Sequence, residues 1–414
     1  MTRSAGASQH VLGLVLLAAV LAIGIGIRIP ALDVPGHLGD VLVVSRWAER
    51  MASVGPLAFY QDSGSIYPAL LYLYWPLGAA FNGEALDIAI KALSIPFDVV
   101  IGMLLYAMVV RRAGPFPGAG AAALYVLNPG VILAGPVWGQ IDAAGTLAFL
   151  ATLLAAANRR IGLAAALAVV AGLVKPQFGL VLLPVLALAA MTAREGRTWR
   201  PLARAAVGSV AAYLLIAGPL LLNPIQLLAN VGGVTDIRPE FSVYAPNPWA
   251  LLFGYEVPDS GYTLVGGLLL LAGLAAALLP LRGSRDLRTW LAVGAFVIFA
   301  FYFLPTRVHE RYLFPAMAVL APLAAVSWRV LGPYLALSAG FTLSLLYVLV
   351  DTTPFSLPPD WQEALVTRPM VWTLSVVLIT AAATLVVLLS TGAGRRLADV
   401  GEVEELSEPR ASRT

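Results

Sequence analysis

The sequence predicts an all-α, polytopic integral membrane protein with a bundle of about 11–13 transmembrane helices. Two features of the composition support this prediction. Hydrophobic residues make up 59% of the 414 residues and charged residues only 12%, whereas soluble domains carry roughly 25% charged residues. The mean hydropathy of +0.84 is too apolar for a chain that faces water. A multi-pass protein of the cell membrane is therefore expected, and secreted enzymes, disordered proteins and DNA-binding domains are excluded.

The third observation is the spacing of charges, which leaves a series of apolar stretches nearly free of them. A spanning helix needs about 20 apolar residues, and we expect about 12 full crossings. The stretches are 11–27, 67–83, 92–110, 116–136, 143–158, 161–174, 178–193, 205–223, 262–281, 289–306, 312–328, 333–350 and 370–392. Because 67–83 would begin and end on the same side, it is predicted to be re-entrant or interfacial, unless a neighbouring stretch is assigned wrongly.

Arginine clusters orient the predicted helices, because cytoplasmic loops carry an excess of basic residues. The clusters are Arg111/Arg112, Arg159/Arg160, Arg194/Arg197/Arg200/Arg204, Arg282/Arg285/Arg288, Arg329 and Arg395/Arg396. The remaining loops then face outward, including the long segments 30–66 and 224–261. The predicted membrane domain covers residues 1–394, and a polar, acidic, disordered tail over 395–414 is expected in the cytoplasm. The net charge of +3 lies in these membrane-flanking clusters, so no nucleic-acid partner is predicted.

Missing residue types exclude several kinds of chemistry. The chain has no cysteine and only three histidines, His10, His37 and His309, so thiolate sites are excluded and a His-rich zinc site is not expected. The chain contains no P-loop sequence, so an ATP-driven pump of the P-loop kind is not expected. No internal repeat is found, which argues against a secondary transporter, because such folds often contain repeats.

The first long outer loop, 30–66, contains a predicted helix over residues 40–54. Asp40 belongs to the residue types preferred at a helix N-cap, and we expect it to cap this helix. Apolar side chains recur on one face at helical spacing, which is typical of an amphipathic helix on a membrane surface. These side chains are Val44, Trp47, Ala48 and Met51.

Lone ionisable residues converge on the outer face of the predicted bundle. Asp142 and Lys175 are each the only charged residue of a long apolar segment, and such residues usually mark functional sites. Asp40 maps to the same face. So does the cluster of Arg307, His309, Glu310 and Arg311.

This combination of charges suits a lipid phosphate with its tail in the membrane. Arg307, Arg311 and Lys175 are candidate phosphate ligands, and a nearby carboxylate can accept a proton from a hydroxyl. Cations and a base together favour glycosyl or phosphoryl transfer from a polyprenyl carrier.

The order of motifs along the chain resembles the GT-C superfamily of membrane glycosyltransferases, over about residues 11–320. It is most similar to bacterial relatives of the second mannosyltransferase of GPI-anchor assembly. The motifs are DVLVVSRWAE (40–49), YPALLYLYWPLG (67–78), LNPGVILAGPVWGQID (127–142), GLVKPQ (172–177) and HERYLFP (309–315). The second motif has Tyr-Pro-Ala where many relatives have Tyr-Pro-Pro, so Tyr67 is assigned to packing.

The resemblance implies transfer of a sugar, with mannose favoured, from a polyprenyl-phosphate-linked donor to a hydroxyl of a lipid or glycan acceptor. The transfer would be inverting and would occur on the extracytoplasmic face. Asp40 matches the expected position of the catalytic base. Lys175, His309 and Arg311 match the positions of phosphate contacts, and Arg307 is added to them. The predicted sugar or acceptor contacts are Trp138, Gln140, Asp142, Gln177 and Glu310.

The resemblance implies no cofactor, because many such enzymes need no metal. Some of them use a divalent ion held by outer-loop carboxylates. Asp40 and Asp142 are the carboxylates that would hold such an ion here, and this is kept as a minor alternative.

Each candidate also has a purely structural interpretation. Asp40 and Asp142 can cap helices, and Lys175 can extend its ammonium group to the membrane interface. Glu310 and Arg311 can form an exposed pair, a contact that contributes about 0–1 kcal/mol.

Other functions stay open at this point. A lipid-linked-saccharide or small-molecule transporter or flippase would use the same membrane charges as a transport path. A non-catalytic scaffold, and transferases with phosphoethanolamine-type or protein-glycosylating chemistry, are further alternatives. Lys91 and Asp98 are assigned to structural pairing, with each other or with a neighbouring span.

Overall fold

The computed structural model describes residues 2–235 and 237–391, which fold almost entirely into α-helices. The helices are α1 Thr2–Ala31, α2 Leu38–Val54, α3 Pro56–Ser63, α4 Pro68–Ala80, α5 Gly83–Ala92, α6 Ser94–Ala113, α7 Pro115–Val126, α8 Pro129–Ile132, α9 Asp142–Ala157, α10 Ile161–Val174, α11 Leu182–Glu195, α12 Arg200–Ala217, α13 Pro224–Thr235, α14 Pro248–Phe253, α15 Thr263–Ala277, α16 Leu287–Phe303, α17 Phe314–Val326, α18 Trp328–Thr352, α19 Pro359–Leu365 and α20 Arg368–Ser390. Two short strands, β1 Ser242–Val243 and β2 Val308–His309, pair in parallel. The predicted tail, 395–414, lies outside the described residues.

The predicted all-α, multi-pass membrane fold is confirmed. Within the described residues, seven helices are long and apolar enough to cross a membrane, and a pair of segments bent by 45°, Pro115–Val126 and Pro129–Val137, forms an eighth candidate. Shorter apolar helices α9, α10 and α16 pack among them. Every apolar stretch of the sequence contains one of these helices or α4 or α17. The number of full crossings and the side on which each loop lies stay predictions.

Helix α4 covers most of the stretch 67–83, and whether this stretch crosses the membrane stays a prediction. It has 13 residues, which at 1.5 Å per residue gives about 20 Å, shorter than the roughly 30 Å hydrocarbon core. It packs instead against α2, where a Cβ atom on Gly78 would lie 2.1 Å from the carbonyl oxygen of Ala48. This close backbone contact joins the two helices of the first long loop.

The amphipathic helix of this loop is present, but the predicted capping residue is wrong. Helix α2 begins at Leu38, and His37 is its N-cap: the Asp40 N–H donates to His37 Nδ1 at 3.3 Å. Because the imidazole supplies the capping acceptor, the Asp40 carboxylate lies inside the first turn and bonds elsewhere. Ala48 and Met51 on the apolar face are buried, as the spacing predicts.

Charged groups inside the bundle are paired, Asp98 with an arginine of a neighbouring helix and Lys91 with backbone carbonyls. Arg28 in α1 donates from Nε to Asp98 Oδ2 at 3.1 Å, and the Tyr125 hydroxyl donates to Asp98 Oδ1 at 2.7 Å. Lys91 does not contact Asp98; its Nζ donates to two carbonyls of the first long loop, at 2.5 and 2.6 Å. Both charges therefore have the structural role predicted, with partners that the sequence did not identify.

The second long loop is fixed to the bundle by its short strand. β1 places Ser242 opposite Val308 and Val243 opposite His309. Tyr244 makes a further bridge to His309. The backbone before α17 is thereby held against the loop, which determines where the side chains of 309–311 lie.

Two hydrophobic clusters meet at one end of the bundle. The larger contains α9, α10, α16 and α17. The smaller contains the helices of the first long loop together with Ile141, Ala144 and Val174. The predicted site residues Asp142 and Lys175 adjoin these last three in sequence, so they lie where the two clusters meet.

Candidate functional site

Asp40 lies at the centre of the candidate site, and its carboxylate is held by hydrogen bonds to one oxygen. Trp138 Nε1 and Gln140 Nε2 each donate to Asp40 Oδ2 at 2.7 Å. His37 Nδ1 is 3.6 Å from the same oxygen. Among the described residues, none donates to Asp40 Oδ1. The side chain of Asp40 is 32% exposed. Its Oδ2 is thus held by two hydrogen bonds, while its Oδ1 is available to accept a hydrogen bond from a ligand.

The segment that carries Trp138 and Gln140 approaches α2 closely because two glycines allow it. A Cβ atom on Gly36 would lie 2.5 Å from the carbonyl oxygen of Val137, and one on Gly139, where φ is +96°, would lie 2.6 Å from Val41 Cγ2. Glycine adopts that φ without strain. The preceding residues, Leu133–Val137, form a π-helical turn, a feature frequent at functional sites.

A buried ion pair lies directly behind Gln140. Lys175 Nζ donates to Asp142 Oδ1 at 2.7 Å and to Gln140 Oε1 at 2.8 Å. Asp142 is the first residue of α9, and its side chain makes no capping bond. Within the part of the chain that the structure describes, Asp142 Oδ2 is buried without a hydrogen-bond partner. The hydrogen bonds therefore form a chain from Asp142 through Lys175 and Gln140 to Asp40.

Lys175 reaches this position because α10 ends at a tight break. Pro176 follows it and begins a short 3-10 helix, Pro176–Val181. A Cβ atom on Gly172 would lie 3.1 Å from the Cα atom of Gly179, so the two backbone segments are nearly in contact. The lysine side chain is 9% exposed, which does not fit an ammonium group extended to the membrane interface.

The His309-Glu310-Arg311 segment adds a second cation. Arg311 Nη1 donates to Glu310 Oε1 at 3.0 Å and is 3.4 Å from His309 Nδ1. The Arg311 guanidinium also lies over the ring of Trp138, 5.8 Å from its centroid. Glu310 is 1% exposed, so the pair is buried rather than the exposed pair of the structural interpretation.

The cations around Asp40 control its ionisation. Burial alone would raise the pKa of this carboxyl group, but Arg311, His37, the Trp138 hydrogen bond and Lys175 together lower it from 3.8 to about 2. Asp40 is therefore ionised at neutral pH. Burial lowers the pKa of His37 and, together with Arg311, that of His309, so both imidazoles are neutral at pH 7. The positive charge of His37 acts on Asp40 only at lower pH, where the imidazole is protonated.

Two predicted site residues are not brought into this network. Arg307 Nε donates to Asp259 Oδ2 at 2.8 Å, which pairs Arg307 with the second long loop. Gln177 lies half-buried in the 3-10 helix, and no hydrogen bond in the described residues joins it to the other candidates.

His37 is the site residue that the sequence analysis missed. Its ring stacks on Trp138 with centroids 4.9 Å apart and an interplanar angle of 6°. The sequence feature that could have identified it is its position three residues before Asp40. This spacing is that of an N-cap residue and a side chain in the first turn of the same helix. Across the described residues, no group of three or more His, Asp or Glu side chains forms a metal-binding cluster.

No protein-family model and no curated protein matches the chain. The solved structure of ArnT from Cupriavidus metallidurans bound to undecaprenyl phosphate is 17% identical, with a TM-score of 0.46, and the match covers 95% of this chain and 81% of that one. An Archaeoglobus fulgidus oligosaccharyltransferase in the apo form is 16% identical, with a TM-score of 0.38, covering 90% of this chain and 56% of that one. Both TM-scores are low, and no functional conclusion rests on either similarity.

Proposed function

We propose that the protein is a membrane glycosyltransferase of the GT-C kind. It transfers a sugar from a polyprenyl-phosphate-linked donor to an acceptor hydroxyl on the extracytoplasmic face, with inversion. One observation carries this proposal: Asp40 is an ionised carboxylate with an available oxygen, and the cation Arg311 lies close enough to lower its pKa. Mannose as the donor sugar is supported only by the order of motifs in the sequence.

Asp40 is the proposed base. Trp138 and Gln140 fix Oδ2, so Oδ1 is the oxygen that accepts the proton of the acceptor hydroxyl. As this O–H bond breaks, the acceptor oxygen forms a bond to C1 of the sugar. The bond between C1 and the phosphate oxygen breaks on the opposite side, and the electron pair leaves with the polyprenyl phosphate. A one-step displacement of this kind inverts the configuration at C1.

Arg311 is the proposed phosphate ligand, because a guanidinium binds phosphate with two parallel hydrogen bonds. Its Nε is buried without a hydrogen-bond partner in the described residues. A donor phosphate beside Arg311 would offset the positive charge that lowers the pKa of Asp40. The base would then become stronger when the donor binds, which brings its pKa closer to the operating pH.

Lys175 has a different proposed role from the phosphate contact expected from sequence. Its ammonium group is already bonded to Asp142 and Gln140, so it orients Gln140 and, through it, Asp40. Charge from Lys175 also lowers the pKa of Asp40. Lys175 is thus a positioning residue, and Arg311 is the phosphate ligand.

A sugar-transfer assay on the purified protein in lipid tests this function. Polyprenyl-phosphate-linked mannose, glucose and arabinose are each supplied with an extract of native membrane acceptors, and the product is identified by mass spectrometry. We expect transfer from the mannose donor. The variant Asp40→Asn should lower the rate by a factor of about 10²–10⁴, the usual contribution of a general base. Asp33→Asn, an exposed aspartate of the same loop, is the matched control and should keep its activity.

Three outcomes would contradict the proposal in different ways. Unchanged transfer by Asp40→Asn would remove Asp40 as the base. Transfer from glucose or arabinose, but not from mannose, would remove the proposed donor. Movement of a lipid-linked sugar across the membrane without any product would favour the transporter.

A further inference from the structure

A groove on the outside of the bundle lies apart from the candidate site. It has a volume of about 850 Å³ and runs between α15 and α20, with α16 as its floor. Its walls are made largely of small apolar residues, including Gly273, Ala276, Ala382 and Ala383. The groove is bounded by α15 on one side and by α20 on the other.

The groove extends along most of α16. It is lined from Arg288 to Phe303 of that helix, a separation that corresponds to about 22 Å at 1.5 Å per residue. This is most of the roughly 30 Å hydrocarbon thickness of a bilayer. A hydrocarbon chain can therefore lie along the groove for much of the membrane.

The two ends of the groove differ in polarity. Phe303 and Leu304 lie at one end, whereas Arg288, Ser284 and Ser390 lie at the other. Arg288 also donates from Nη2 to the carbonyl oxygen of Leu389 at 3.4 Å, which places its guanidinium between α16 and α20. The groove thus has a cationic, hydroxyl-bearing end and an apolar length.

We propose that this groove binds one anionic diacyl phospholipid, with its phosphate at Arg288 and its acyl chains along α16. The walls continue into faces of α15 and α20 that are apolar and exposed, such as Leu271 at 63% and Val387 at 60%, so acyl chains of the bilayer reach the groove directly. Basic pockets between transmembrane helices on the cytoplasmic side bind anionic head groups. Arg288 belongs to one of the arginine clusters that predict the cytoplasmic loops, so we expect it to lie on the cytoplasmic side.

The lipid site is independent of the proposed transfer reaction. Arg288 is at the first turn of α16, whereas Arg311 follows the opposite end of that helix. The head group at Arg288 is therefore separated from Asp40 and Arg311 by the length of the helix.

Native mass spectrometry of the full chain tests the proposal. The purified protein is delipidated and titrated separately with phosphatidylglycerol, phosphatidylcholine and undecaprenyl phosphate. We expect one phosphatidylglycerol per chain, bound at least about tenfold more tightly than phosphatidylcholine, as for a charge-assisted hydrogen bond. Arg288→Gln should remove this preference and Arg288→Lys should keep most of it. Arg282→Gln, an exposed arginine that does not line the groove, is the matched control.

A second variant tests the acyl chains. Ala383 is exposed on the groove wall, so Ala383→Phe should leave the fold intact, fill the groove and reduce binding of every diacyl lipid. Equal binding of both phospholipids, or binding unaffected by Arg288→Gln and Ala383→Phe, would overturn the proposal. Preferential binding of undecaprenyl phosphate in an Arg288-dependent manner would also overturn it, because the occupant would then be a prenyl lipid.

Discussion

Replacing Lys175 by methionine removes the cation of the buried pair and leaves Asp142 behind. The two side chains are 9% and 2% exposed, and Nζ lies 2.7 Å from Oδ1. Removing one partner of such a pair leaves an uncompensated buried charge, which costs about 3–5 kcal/mol. We expect Lys175→Met to lower the free energy of unfolding by this amount. Arg46→Met, which removes an exposed arginine of α2, should change it by less than about 0.5 kcal/mol.

The double variant separates stability from the proposed positioning role. Adding Asp142→Asn to Lys175→Met removes the second charge, so the double variant should be more stable than the sum of the two single losses by about 2 kcal/mol or more. Sugar transfer should not recover with stability, because Gln140 Oε1 has still lost the ammonium group that orients it. Stability is measured by denaturant unfolding in detergent, and transfer by the assay with the mannose donor.

Two results would refute this reasoning. Additive losses in the double variant would mean that Lys175 and Asp142 do not form a coupled pair. Recovery of both stability and transfer in the double variant would mean that the pair serves only to fill the space behind Gln140, and that Lys175 does not position Asp40.

Three further predictions concern the surroundings of Asp40. Trp138→Phe keeps the stacked ring and removes one of two hydrogen bonds to Oδ2, so kcat should fall about tenfold with an unchanged KM for the donor; an increase in KM alone would contradict this. Gly139→Ala should cost about 1–3 kcal/mol of unfolding free energy, because φ is +96° and the Cβ atom would meet Val41; a stability equal to that of the unmodified chain would contradict it. Burial lowers the pKa of His37 below 6.5 in the folded state, so folding disfavours protonation of this imidazole. Its contribution to the free energy of unfolding is therefore complete above pH 6.5 and is lost as pH falls from 6.5 through the lower pKa of the folded state. Asp40, with a pKa of about 2, loses its contribution to the free energy of unfolding only as pH falls from 3.8 through 2. We therefore expect His37→Gln, and not Asp40→Asn, to flatten the decrease in stability between pH 7 and pH 5. The reverse result would contradict the assignment of this decrease to His37.

Much of the fold could be predicted from the sequence because charges are excluded from apolar spans. The stretches without charge correspond to helices along the whole described chain. The sequence left open whether the stretch that contains α4 crosses the membrane, and this stays a prediction.

The candidate site could be predicted only in part. Convergence of Asp40, Asp142 and Lys175 was expected from their position relative to the spans, whereas Gln140 was assigned to the site through the resemblance. The structure brings these four together. Their pairing was not predictable, because it depends on the close contact between Gly172 and the segment after Pro176. Spacing along the chain carries no information about such a contact between backbones.

Ion pairs between segments that are distant in the chain could not be predicted from the sequence either. The sequence analysis gave Arg28 no partner, and it assigned Asp98 to Lys91 or to a neighbouring span. Arg307 was assigned to the donor phosphate, although Asp259 lies opposite it. In each case the partner is tens of residues away, and several residues of opposite charge were equally suitable candidates.

The bond between Arg28 and Asp98 also has a consequence for how the chain enters the membrane. The two residues are 70 positions apart, and at about 5–20 residues per second the ribosome needs roughly 4–14 s to make the intervening chain. During that time α1 carries an arginine in its last turn without the carboxylate that pairs with it, and an unpaired charge within a membrane segment is costly. We therefore expect α1 to hold Arg28 at the water interface at first, and to settle to its final depth only when α6 arrives beside it.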